Sequence, residues 1–99
     1  MPKDPTPPEY GDMRISELIR MPVLAETAKR GDLVGLQART LLEAEDKDEV
    51  IQRLIKEQTV GLTLFERRDA YDDWCEVLGI DRASLKGYLK AKGVINQTD

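Results

Sequence analysis

Histidine is absent from this chain, and cysteine, tryptophan and phenylalanine occur once each. Without histidine, the commonest general base and the commonest metal ligand are both missing. Cys75 alone closes no intrachain disulfide, so a reducing cytoplasm is the expected compartment. With no imidazole to activate it, Cys75 reads as a packed thiol and not as a nucleophile. No glycine-rich phosphate loop is present. No apolar run approaches the length of a membrane span, and Met-Pro-Lys-Asp-Pro-Thr-Pro-Pro lacks the apolar centre of a signal peptide. These absences lead us to expect no enzyme, no cofactor, no metal and no membrane contact.

What remains is a chain of 99 residues, 40% hydrophobic but only 5% aromatic. Its core must come from Leu, Ile, Val and Ala, a mixture that suits helices better than a sandwich of strands. No stretch alternates with a period of two, so the expected class is all-α, a small helical domain of five to six helices. The formal charge is −4, which argues against a non-specific coat on nucleic acid. The distribution is uneven. Residues 1–80 carry eleven Lys/Arg against seventeen Asp/Glu, a net of −6, whereas Arg82, Lys86, Lys90 and Lys92 outnumber Asp81 and Asp99 at the C-terminal end.

Four of the five prolines fall in residues 1–12, expected as an extended or disordered arm. Ile15, Leu18 and Ile19 share one face of a short helix that ends before Pro22. Pro22 suits the first position of a second helix carrying Val23, Leu24 and Ala28 and stopping at Gly31 after Lys29-Arg30. Asp32 is placed to cap a third helix, Leu33 to about Glu45, with Leu33, Leu36, Leu41 and Leu42 as its stripe and Gly35 weakening its first turn. Glu43, Glu45, Asp46, Asp48 and Glu49 form an acidic turn. It lacks the glycine and alternating ligands of a calcium loop, so we read it as a solvated turn with Asp48 capping the next helix. That helix runs through Val50, Ile51, Leu54 and Ile55 to about Thr59-Val60-Gly61. Thr63 and Glu66 have the spacing of a capping box opening a helix over Leu64–Leu78. Tyr71, Trp74 and Phe65 fall on helical spacing and are expected in the core.

The most informative block runs from Trp74 to Lys90. A helix-turn-helix crosses two short helices sharply at a tight turn. Trp74 and Leu78, four apart, suit the inner face of its first helix, and Cys75 is small where the helices approach. Gly79 tolerates the positive φ of the turn, and Ile80 plugs it. Asp81 stands where the second helix needs a cap, and Leu85, Tyr88 and Leu89 form that helix's inner face. Gly79-Ile80-x-Arg82-x-x-Leu85-Lys86-x-x-Leu89-Lys90-x-x-Gly93 resembles the end of the bacterial helix-turn-helix domains of the Fis and NtrC type, in which the recognition helix also comes last. The chain departs from that family at Trp74 and Cys75, where small residues are favoured, and at Asp72 and Asp73, where basic or polar ones are. Gly87 inside the second helix costs about 1 kcal/mol relative to alanine.

The resemblance implies a C-terminal helix-turn-helix over 63–99, with residues 13–62 as a helical oligomerisation or partner region. It implies double-stranded DNA as the partner, bound by an oligomer acting as a small transcriptional regulator. Arg82, Ala83, Lys86, Gly87 and Lys90 would face outward, with Arg82 and Lys86 near base edges. Ser84, Lys90 and Lys92 would meet phosphates. Two other expectations stand beside this one. The acidic helices, with Asp69, Asp72, Asp73 and Glu76, would suit a protein-binding adaptor or inhibitor of phage or bacterial origin. A helix-turn-helix joined to a helical oligomerisation region would also suit the small subunit of a phage DNA-packaging motor.

Overall fold

The computed structural model describes residues 13–95, so the proline-rich stretch 1–12 expected as an arm and residues 96–99 lie outside the described residues. The described chain is all-α. Six helices follow one another: α1 (Ile15–Leu18), α2 (Met21–Thr27), α3 (Leu33–Glu43), α4 (Lys47–Thr59), α5 (Leu64–Leu78) and α6 (Arg82–Ala91). Among the described residues no helix is long and apolar enough to cross a membrane.

Several boundaries follow directly from local chemistry. Asp32 accepts a hydrogen bond from the Gly35 amide and opens α3. Thr63 and Glu66 form the expected capping box, each side chain satisfying the other's backbone N–H at the start of α5. The Thr63 amide bonded to Glu66 holds that carboxyl below its usual range. This half of the box is therefore present at neutral pH and is lost as pH falls through the lowered value. The α5 helix then covers Leu64–Leu78, as its spacing implies, and ends at Gly79 with φ +72°. The amides of Gly79 and Ile80 both donate to the Cys75 carbonyl, which closes the turn.

Other expectations are corrected. Asp46, not Asp48, caps α4 by accepting from the Glu49 amide. Asp81 stands at the N-cap of α6 with extended backbone, but its side chain makes no capping hydrogen bond. The α2 helix stops at Thr27, short of Gly31, and passes through tight turns in which Lys29 and Arg30 donate to Glu26 and Thr27. Arg39 reaches over from α3 to cap the Ala28 and Arg30 carbonyls. The predicted stripe of α3 is half wrong, because Leu33 and Leu36 are 67% and 52% exposed. Leu41 is buried and Leu42 packs against the core as expected, but Gly35 and Ala38 take the inward positions in place of Leu33 and Leu36. Gly35 is where α3 meets the chain before it: a Cβ there would lie 2.0 Å from the Arg30 carbonyl oxygen. Small residues on the inner face let the backbones approach, which a count of leucines does not register. Phe65, expected in the core, is 77% exposed.

One apolar core joins all six helices through Ile15, Leu24, Ala38, Leu41, Ile51, Ile55, Tyr71, Trp74, Leu78, Leu85, Tyr88 and Leu89. The α2 helix packs on α3 and α5, α4 on α1, α3 and α5, and α6 on α5. The corner at Gly79 is doubly constrained. Its backbone is left-handed, and a Cβ there would come within 3.0 Å of Val23 and Arg20. The Arg20 amide also donates to the Leu78 carbonyl at 2.9 Å, pinning the start of α2 to the end of α5.

A single carboxylate ties the outer helices to α4. Asp48, in the first turn of α4, has a side chain only 17% exposed. It accepts from the Ile15 amide at 2.8 Å and from the Tyr88 hydroxyl at 2.5 Å, and Arg14 lies 3.5 Å away. Gln52, one turn further along α4, donates to the same Tyr88 hydroxyl at 2.9 Å. Burial, and then the bond to Asp48, push that phenol well above its ordinary pKa, so it stays a donor at every physiological pH. Gln58 near the other end of α4 accepts from the Trp74 indole at 3.0 Å. Three polar residues of one helix thus satisfy groups on α1, α5 and α6.

Tyr88→Phe removes one hydrogen bond to a charged acceptor and leaves Gln52 short of a partner. It should lower the free energy of unfolding by about 1.5–3 kcal/mol, read from the midpoint of urea unfolding. An unchanged midpoint contradicts this role for the hydroxyl.

Candidate nucleic-acid interface

The site is built on α6, so the local causes of that helix come first. Leu85, Tyr88 and Leu89, spaced i, i+3, i+4, are all fully buried and fix which side of the helix faces inward. Lys90 lies in the last turn, where a cation complements the helix dipole. Gly93, with φ +75°, ends the run, and the Val94 amide returns to the Leu89 carbonyl at 2.9 Å. Val94 and Ile95 fold back against the core. The helix is therefore held at both ends and along its inner side.

All seven residues named from the sequence lie on α6 or at its C-cap. Arg82 and Ala83 are exposed, and Ser84, Lys86, Gly87, Lys90 and Lys92 are half-buried. Arg82, Lys86 and Lys90 recur every four residues and form one cationic row. Ala83 and Gly87, also four apart, add little bulk to the outer surface.

Three members of this set are engaged within the protein. The Arg82 guanidinium makes a two-pronged contact with Asp72 on α5, Nε to Oδ1 and Nη2 to Oδ2, both at 2.7 Å. Lys86 places its ammonium 5.9 Å from the centre of the Tyr71 ring, and Lys92 stands 5.6 Å over Tyr88. Both separations are within the range of a cation–π attraction. Tyr71 is buried as the sequence suggests, but the pairing of Tyr71 and Asp72 with α6 was not read from the sequence. Asp72 was read as part of an acidic face, yet the short Gly79–Asp81 connection brings α5 and α6 together, so an acid late in α5 meets a base early in α6.

The surface of α5 beside this row has the opposite sign. Asp69, Asp73 and Glu76 are exposed, and among the described residues none of them forms an ion pair. Asp73 and Glu76 border an open groove of about 460 Å³, completed by Thr27, Arg30, Val34 and Val77. Arg30 on the far wall is already held by Asp32. No group of three or more His, Cys, Asp or Glu among the described residues is arranged to hold a metal ion.

Compared with known proteins, the chain matches no family model, and no curated protein or solved structure matches it.

Cys75 lies behind Asp72 at the α5–α6 junction. Burial, helped by the Asp72 charge, pushes its thiol up to about 11. At pH 8 the folded protein should therefore hold about a hundredfold less thiolate than an ordinary cysteine, whose thiol titrates near 9.0. Alkylation by iodoacetamide at pH 8 should be slower by that order in the native chain than in the urea-unfolded chain. Equal rates would contradict a packed, protonated thiol.

Proposed function

We propose that this protein binds double-stranded DNA with α6 as the recognition helix of a helix-turn-helix formed by α5, the Gly79 turn and α6. The observation that carries this reading is the two-sidedness of α6. Its inner residues Leu85, Tyr88 and Leu89 are fully buried, while Arg82, Lys86 and Lys90 line the surface beside the small residues Ala83 and Gly87. A helix offered to a major groove needs a rigid back, a slim front and donors near its N-terminal half. In this reading Arg82 and Lys86 approach base edges, and Ser84, Lys90 and Lys92 meet phosphates. The protein works in the cytoplasm as a regulator without catalytic activity of its own, and as an oligomer, since one such module alone buries little DNA surface.

The Arg82–Asp72 pair sets the energetic condition. Both side chains are about half exposed, and such surface pairs are worth about 0–1 kcal/mol. A two-pronged contact from arginine to guanine is worth about 1–3 kcal/mol of discrimination. DNA can therefore draw Arg82 away from Asp72. A second reading, protein contact through α5, is favoured by Phe65, whose ring is largely exposed beside Asp69, Asp73 and Glu76.

The test is fluorescence anisotropy with duplexes of selected and random sequence across a salt series. Lys90→Ala should weaken binding to all sequences and lower the salt slope by about 1, and Arg82→Ala should cost about 1–3 kcal/mol on the preferred sequence. A wild-type chain that binds no duplex at low salt, or variants that bind as well as it does, would overturn the proposal.

A further inference from the structure

The α3 helix has two unlike sides. Gly35, Ala38 and Leu41 turn into the core. Leu33, Leu36, Thr40 and Glu43, spaced i, i+3, i+7 and i+10, are all exposed and share the outer side. An exposed side of a helix is ordinarily polar, yet Leu33 and Leu36 stand in solvent here. The Thr40 hydroxyl donates to the Leu36 carbonyl at 2.9 Å, so its polar end is satisfied within the helix. The first charge on this stripe is Glu43, in the last turn, where the helix dipole disfavours an acid. No cation among the described residues pairs with it.

We infer that this stripe is a dimer contact, and that its occupant is a second copy of the same chain laid antiparallel along α3. The inference rests on the oligomer proposed above and names the surface that makes it, within the span 13–62 expected for self-association. A two-fold axis at the middle of the stripe, between Leu36 and Gln37, makes the contact self-complementary. Leu33 of each copy then packs against Thr40 of the other, and the two Leu36 side chains meet across the axis. The charges argue for the same direction. Glu43 comes level with Arg30 of the other copy, just ahead of the N-terminus of that copy's α3. Arg30 has a side chain 57% exposed and engages Asp32 through Nη2 alone, so guanidinium donors remain for a second carboxylate. A parallel pair would set Glu43 against Glu43. The two helix dipoles also oppose one another in the antiparallel arrangement. The α3 helix packs on α2 and α4, and α6 on α5. The contact therefore uses a helix other than the one proposed to read DNA, and each dimer carries two copies of that reading helix.

Sedimentation equilibrium over a range of chain concentrations tests this. The wild-type mass should rise to twice that of one chain and no further, because a two-fold contact closes on itself. Leu33→Asp with Leu36→Asp should hold the mass at one chain throughout, and circular dichroism shows whether that variant is folded. Cross-linking reads the direction of the pair and decides the matter alone where the aspartates prevent folding. In a Cys75→Ser background, chains carrying Leu33→Cys are mixed with chains carrying Thr40→Cys and oxidised in air. Both positions are exposed. Disulfide dimers should join the two kinds, with few joining either kind to itself. A wild-type chain that stays single, one that assembles beyond two, a doubled mass that survives the aspartates, or cross-links mainly within one kind would overturn the inference. The proposed function fails separately. A chain that dimerises through α3 but binds no duplex would remove the function and keep this contact, and a DNA-binding oligomer built through another surface would do the reverse.

Discussion

The arrangement of this protein depends on one carboxylate. Asp48 sits in the first turn of α4, where the helix dipole favours negative charge, and it receives the Ile15 amide and the Tyr88 hydroxyl on the same oxygen. The residue that opens α1, Arg14, has no side-chain acceptor for that amide, so a distant helix supplies one. Leu85, Tyr88 and Leu89 bury the inner side of α6, but apolar contact is non-directional. The hydrogen bonds from Asp48 and Gln52 to the Tyr88 hydroxyl give it a direction. They select one rotation of α6 about its axis, and with it the side chains left at the surface. The cationic row of α6 is thus set from the opposite side of the helix.

The same logic governs the outer surface. The Gly79 corner accepts no side chain, because its backbone is left-handed and Val23 and Arg20 lie against it. A corner held this closely fixes where α6 begins. It brings Arg82 to Asp72, and so creates the boundary between an acidic α5 and a basic α6. A net charge of −4 conceals this division. The proposed use of the surface, duplex binding, arises from the division and not from the sum.

Much of the architecture was legible in the sequence where local chemistry decides it. The Thr63–Glu66 box, the Gly79 stop, the Asp32 cap and the inner face of α6 each rest on residues within four positions of one another. The misreadings share a different cause. Leu33, Leu36 and Phe65 are large and apolar, and size alone suggested burial, whereas Gly35 and Ala38 face inward, and at Gly35 the Arg30 carbonyl leaves no room for a Cβ. Asp48 was read as a local cap, yet its partners are Ile15 and Tyr88, remote in sequence and visible only once the helices are assembled. The candidate site divides in the same way. Its seven residues were named because the segment resembles the end of a helix-turn-helix domain. Their partners Asp72, Tyr71 and Tyr88 follow from tertiary contacts that spacing does not contain.

The most direct test of the account is a titration of the ¹⁵N-labelled protein with duplex DNA, followed by amide chemical shifts. The central claim predicts that the largest changes run along the outer side of α6, from Arg82 through Ala83, Lys86, Gly87 and Lys90. Asp72 should join them as its guanidinium partner leaves, while Ile15 and the buried face of α6 stay still. Shifts centred on α3 or on the exposed end of α5 near Phe65, with α6 silent, would contradict it.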